Sequence, residues 1–204
     1  MTKTFIALLR AVNVGGANSV SMKDFVRVLD SLGLTNVKTY IQSGNAIFQG
    51  NQKDAAFLSK KISVKLQRSH GFAPEVILLR RDELEAVMKL NPYREANSDP
   101  KALHVMFLAS TPKNADVSVL ESLRKDSEKY SLQGRVFYFW APEGVGRSKL
   151  FSRIEKSLGV AGTARNWRTI CKLLELAREV LAKDQSSGYS KRPNEKRHSA
   201  PDEL

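Results

Sequence analysis

Two hydrophobic rhythms alternate along the chain, runs that suit strands and stripes that suit helices. Residues 5–12, Phe-Ile-Ala-Leu-Leu-Arg-Ala-Val, are apolar except for Arg10 and predict a central strand. A polar turn region follows at 13–21, with Gly15, Gly16 and Asn18. Met22, Phe25, Val26, Leu29 and Leu32 then recur at helical spacing, with Ser21 placed as N-cap and Gly33 as stop. Residues 37–41 and 46–48 read as short strands joined by a hairpin turn at Ser43-Gly44. Ala55, Leu58, Ile62 and Leu66 mark a second helix ending at Gly71, and residues 75–79 a fourth strand.

That is a βαββαβ order within 1–81, the ferredoxin-like unit. A helix over 82–90 and a polar loop with Pro92, Asp99 and Pro100 lead into a second cycle. There the pattern predicts a strand at 103–108, a helix at 116–128, an aromatic strand at 135–140, a helix at 148–158, a strand at 160–164 and a long helix at 166–182. The expected fold is α+β: tandem ferredoxin-like units over 1–81 and 82–182 with an added C-terminal helix, then a polar, disordered tail over 183–204. A sheet of strand order 4132 sets the loop at 13–18 beside the hairpin at 42–45. By the same logic Arg147, Ser148 and Lys149 lie near Arg165, Asn166 and Trp167, where two helix N-termini would meet and favour an anion.

The charge sharpens that expectation. The net charge is +12, and residues 183–204 carry five Lys or Arg against four Asp or Glu, so +11 resides on 1–182. Between Gly144 and Lys172 stand seven cations (Arg147, Lys149, Arg153, Lys156, Arg165, Arg168, Lys172) and one acid, Glu155. Such a region attracts nucleic acid, acidic lipid and phosphorylated ligands alike. No apolar run reaches the roughly 18 residues of a membrane span, the N-terminal run lacks a signal-peptide pattern, and the lone Cys171 gives neither a disulfide nor a metal motif. A cytoplasmic protein without metal or cofactor is the expectation.

Catalytic groups are scarce. Neither 10–18 nor 42–45 contains Asp, Glu, His or Cys, so these turns read as a binding edge. Residues 144–149, Gly-Val-Gly-Arg-Ser-Lys, miss the spacing of a phosphate-binding loop. Ser148 and Lys149, being adjacent on a helix, diverge by about 100° and do not form a catalytic pair. His70, His104 and His198 are dispersed; His104, in an apolar strand, reads as a hydrogen-bonded core histidine. Trp167 and Cys171 fall on the apolar stripe of the last helix and read as core. Phe137, Tyr138, Phe139 and Trp140 alternate, so at most half could offer one face to RNA, and helices cover that face.

Several motifs carry a resemblance in combination: Arg10, Asn13, Gly15 and Gly16; Tyr40-Ile-Gln-Ser-Gly-Asn45; Asn91-Pro92; His104; Gly146-Arg-Ser-Lys-Leu150; and Thr163-Ala-Arg-Asn-Trp167. Over residues 3–178 the chain resembles the bacterial Domain of Unknown Function 1697 family, which implies a tandem ferredoxin-like architecture and supplies no activity. It departs from the family pattern at Ala11, where Gly is more usual, and in the tail after Lys183.

The expected ligand site comprises Arg10, Asn13, Gly15, Gly16, Gln42, Ser43, Asn45, Arg147, Ser148, Lys149, Arg165 and Asn166. Three readings stay open. One is a binding protein for a phosphate-bearing ligand, nucleic acid among the candidates. Another is an enzyme acting on a small anionic substrate between the domains, with Arg10, Arg147 and Arg165 as clamps and Ser43 or Ser148 as a hydroxyl participant. In the third, these motifs only maintain turns and the domain interface.

Overall fold

The computed structural model describes residues 2–189 apart from residue 17, with side chains described to residue 182. The first half runs β1 (Lys3–Leu9), α1 (Met22–Asp30), β2 (Thr35–Tyr40), β3 (Asn45–Gly50), α2 (Ala55–His70) and β4 (Val76–Arg80). After α3 (Arg81–Lys89) come β5 (Leu103–Leu108), α4 (Val117–Leu123), β6 (Lys129–Gln133), β7 (Val136–Trp140), α5 (Ile154–Leu158), β8 (Gly162–Asn166) and α6 (Trp167–Tyr189). The fold is mixed α+β, with six α-helices among the described residues and two four-stranded antiparallel sheets ordered β2-β3-β1-β4 and β6-β7-β5-β8.

Local chemistry sets the helix ends. Ser21 Oγ accepts from Asp24 N–H at 3.0 Å, and Asp54 Oδ1 accepts from the N–H groups of Ala56 and Phe57, so each side chain supplies an acceptor to otherwise orphaned donors. On α1 the buried face is Met22, Phe25, Val28 and Leu29, with the expected Val26 half-exposed.

Three apolar clusters layer the molecule. The alternate positions Phe5, Ala7, Leu9, Phe48, Val76 and Leu78 of the first sheet pack on α1 and α2. The outer face of the second sheet, with Met106, Phe137 and Phe139, packs on α4 and α5. The inner faces of both sheets, through Ile6, Leu8, Ile77, Val105, Tyr138 and Trp140, share one core with α3 and with Trp167, Ile170, Leu174 and Ala177 of α6. All four aromatics of β7 are therefore buried, and no sheet face is left for base stacking. Tyr138 sits 1% exposed with its hydroxyl donating to Val87 O at 2.8 Å, and burial pushes that phenol up to about 12.

The second half departs from the expected boundaries. The helix expected to reach residue 128 ends at Leu123; Arg124 is extended, and Lys129–Gln133 forms a strand paired with β7 through a turn at Gly134. Tyr130 stacks on Phe137 and Leu132 packs beside it, an alternation too short to outweigh the preceding helical stripe. The helix expected over 148–158 forms only in its last residues. Ser148 is extended, residues 145–147 and 151–153 are 3-10 turns, and α5 starts only at Ile154. Leu150, Ile154 and Leu158 still bury at helical spacing, so the apolar pattern persists while the backbone tightens. Gly159 ends α5 in the left-handed region, which shifts β8 two residues later than expected. Helix α6 continues to Tyr189, so residues 183–189, expected within the tail, have helical backbone; residues 190–204 lie outside the described residues. No helix among the described residues is long and apolar enough to cross a membrane.

Candidate functional site

In the first sheet β1 is central and antiparallel to both neighbours, so the ends of β1 and β2 and the start of β3 gather at one sheet end. The two polar turns meet there. Asn13 donates from Nδ2 to Gln42 O at 2.8 Å and to Val20 O at 2.9 Å, while its Oδ1 accepts from Val20 N–H. Asn13 takes φ +56, a left-handed conformation that asparagine tolerates better than most residues. Gly44, at φ +69, lies so close to its neighbours that an added Cβ would be 2.6 Å from Val12 Cγ2 and 2.7 Å from Leu9 Cβ. Gly15 and Gly16 differ: both have positive φ, with nothing within 4 Å of an added Cβ, so conformation rather than crowding selects glycine there.

The start of β8 presses against this sheet end. Arg165, 9% exposed, donates from Nε to Asn45 Oδ1 at 2.6 Å, from Nη1 to Thr163 Oγ1 and Ala164 O, and from Nη2 to Leu9 O and Ser43 O at 2.9 Å. These contacts engage all five guanidinium N–H groups with protein oxygens. Burial pushes Arg165 down to about 10, so it remains a cation at neutral pH, held by neutral dipoles. Expected as an anion ligand, Arg165 instead fastens the two sheets together. Asn45, fully buried, completes the joint by donating to Tyr40 O at 3.1 Å.

Arg10 is engaged in part. It donates from Nε to Glu155 Oε1 at 3.0 Å and to Gly162 O at 3.1 Å, and from Nη2 to Glu155 Oε2 at 2.6 Å. Glu155 Oε1 also accepts from Gly162 N–H at 2.8 Å. Burial opposes ionisation of Glu155, but the bonds from Arg10 and Gly162 outweigh it and leave the carboxyl below its ordinary pKa. Sequence reasoning gives Glu155 no role of its own. A lone acid among seven cations is the signal that it has a dedicated partner.

The expected meeting of two helix N-termini does not form. Ser148 is buried, and its Oγ accepts from Phe151 N–H at 3.0 Å within a tight turn. Asn166 Oδ1 accepts from Thr169 N–H, capping α6, whose Arg168 N–H reaches Pro100 O. Arg147 and Lys149 are exposed and make no hydrogen bond to Arg165 or Asn166. Among the described residues, Arg147, Lys149, Arg153, Lys156 and Arg168 are all exposed and carry no ion pair, whereas Lys172 pairs with Glu175 at 2.6 Å.

His104 and Cys171 lie in partly buried surroundings. Burial pushes His104 down, against a weaker opposing bond from Ala102, and its Nδ1 is buried without a partner; its ring meets Phe151 edge-on at 6.0 Å. Cys171 is half-buried and burial pushes its thiol up. Among the described residues no group of three or more His, Cys, Asp or Glu is arranged to hold a metal ion.

A cleft of about 500 Å³ opens beside β4, lined by Lys3, Lys53, Arg80 and Arg135 with Glu75 and Glu83. Sequence reasoning missed it, because these residues are scattered over both halves with no common spacing.

Mixed α+β architecture with paired antiparallel sheets is the class to which these features assign the molecule. Within it, the chain belongs to the DUF1697 family of proteins of unknown function, whose model matches residues 1–138. The motifs at 146–150 and 163–167 fall beyond that match. A conserved bacterial protein from Streptococcus pneumoniae has a similar structure, with 26% identity and a TM-score of 0.63, covering 87% of this chain and 99% of that one. A crystal structure provisionally described as a glycine cleavage system transcriptional repressor aligns over 81% of this chain and 97% of that one, at 11% identity and a TM-score of only 0.24. No curated protein matches the chain.

Proposed function

We propose that each half is a ferredoxin-like unit and that the protein binds a phosphate-bearing polyanion of the nucleic-acid kind through Arg147, Lys149, Arg153, Lys156 and Arg168. The element order βαββαβ and the strand order 4-1-3-2 in each sheet support the first part. One observation carries the second: these five cations are exposed and unpaired among the described residues, while Glu155, the only acid between Gly144 and Lys172, is already held by Arg10. Phosphates therefore meet no competing carboxylate within the segment. The enzyme reading has less support, since Arg165 directs all its donors to protein oxygens, Arg10 is paired with Glu155, and Ser148 caps a turn.

Anisotropy of a fluorescent single-stranded 20-mer tests this. Affinity should fall with salt, and Lys149→Ala with Arg153→Ala should reduce the log–log salt slope by roughly 0.7 for each phosphate no longer neutralised. Salt-independent binding, no binding at low ionic strength, or a slope unchanged in the double variant would overturn the reading.

A further inference from the structure

The register of the first sheet shows which backbone groups β4 offers to the cleft. Arg10 N–H bonds Glu75 O, which makes 10/75, 8/77 and 6/79 the hydrogen-bonded pairs of β1 with β4. Val76, Leu78 and Arg80 therefore turn their backbone N–H and C=O groups outward, along the free edge of the sheet. Two of these groups are satisfied: Val76 O accepts from Ser59 Oγ, and Arg80 N–H donates to Glu83 Oε2 at 2.7 Å. Leu78 has neither group engaged among the described residues, and Val76 N–H is likewise open.

We infer that the cleft beside β4 takes an extended, carboxylate-bearing peptide segment that adds to the first sheet as a fifth strand, paired at Leu78. A donor and an acceptor on one edge residue match another peptide backbone, whereas a small anion would use only the donor. Charge selects the side chains. Lys3 and Lys53 line the cleft without an ion pair among the described residues, while Glu83 is already bonded to Arg135 at 3.2 Å and lies 3.7 Å from Arg80. Glu75 is the remaining acid of the lining, so the four cations outnumber the two acids.

The pleat fixes where the carboxylates fall. Directly opposed residues of paired strands share a face, and Leu78 and Val76 share theirs with Phe5, against α2. Lys3 has the parity of Phe5 along β1, and Lys53 directly precedes α2's N-cap residue, Asp54. A peptide residue opposite Leu78, and those two positions either side, therefore project toward these lysines. Intervening positions face Ala109 and Arg135.

The test uses the full-length chain and three probes: acetyl-Glu-Thr-Glu-Thr-Glu-amide, the same peptide N-methylated at its central Glu, and its Lys-for-Glu counterpart. Amide hydrogen exchange is followed by NMR at Leu78, with Ala164 of β8 as internal reference. The acidic peptide, at about ten times its Kd, should slow Leu78 exchange roughly tenfold and leave Ala164 unchanged. N-methylation should abolish the protection, as should the Lys peptide, and Lys3→Glu with Lys53→Glu should remove it while leaving the spectrum folded. Unchanged Leu78 exchange with low-millimolar acidic peptide would overturn the inference and leave the lysines as guards against strand pairing. Equal protection by the N-methylated peptide would overturn strand addition.

Discussion

β4 and β8 occupy equivalent places, each closing its half as an edge strand antiparallel to the central strand of its sheet, yet their edges are finished differently. In β8 the ladder continues to Ala161, which bonds Ala109 N–H, so Gly162 and Ala164 face outward. Gly162 N–H and C=O are bonded by Glu155 and Arg10, and Ala164 O by Arg165. Three of those four outward groups are thus engaged, against one of four, Val76 O, at Val76 and Leu78 of β4. The same strand position becomes a sealed joint in one half and an open edge in the other. Two arginines that read in sequence as ligands for an outside anion supply most of the difference.

The comparison is broken most severely by removing the buried guanidinium. Arg165→Met leaves Ser43 O and Asn45 Oδ1 without a donor, and Leu9 O with only the 3.5 Å bond from Thr163 Oγ1, in a buried joint, and should cost about 3 kcal/mol or more. Arg165→Lys keeps the charge but has three donors for five acceptors, so its loss should be intermediate. Urea unfolding measures both. A loss below about 1 kcal/mol for the Met variant would show that β8 is no more firmly closed than β4.

Why sequence alone does not place Arg165 in the joint between the sheets follows from the physics of its neighbours. The 4132 order expected from the first half correctly brings Asn13 to Gln42, since strand direction alone fixes which turns share an end. The approach of the second sheet depends on side chains from α6 and β7 filling one common core, and no local spacing records that. Charge counting treats Arg165, Arg147 and Lys149 alike, because composition says nothing about burial. Alternation along Thr163-Ala-Arg-Asn166 is the usable signal: it puts Thr163 and Arg165 on one face, and both are buried. The missed β6 and the absent helix at Ser148 share a cause, in that stretches of about five residues carry too few apolar positions to tell a strand or a tight turn from a continuing helix.

A milder break separates the second bond set at β8 from the first. Glu155→Gln removes the charge that Arg10 grips while retaining an acceptor; with both side chains 36% exposed, screening limits the loss to about 1 kcal/mol at pH 7. The pH dependence has a definite sign. Glu155 has a folded pKa below its ordinary 4.5, so its contribution is present above about pH 4.5 and is lost as pH falls through the folded value. The gap between wild type and Glu155→Gln in urea midpoint should therefore narrow from pH 7 to pH 4. A gap that stays constant would mean that packing, and not ionisation, closes this part of the edge.

The smallest effect is expected on β4, and it sharpens the contrast most directly. Ser59→Ala deletes the one side-chain bond to an outward carbonyl of that edge, at Val76, and is thus the β4 counterpart of stripping Arg165 from Ala164 O. Val76 O faces a cleft of about 500 Å³ that admits water, so solvent can replace the deleted hydroxyl. The net value of one such exchanged bond is near the low end of the usual range, about 0.5 kcal/mol. Measured beside Arg165→Met in the same urea series, the alanine variant should lose several-fold less stability. A loss above about 1.5 kcal/mol would mean that the carbonyl sits in a dry site, so that β4 is closed at Val76 and its contrast with β8 rests on Leu78 and Val76 N–H alone.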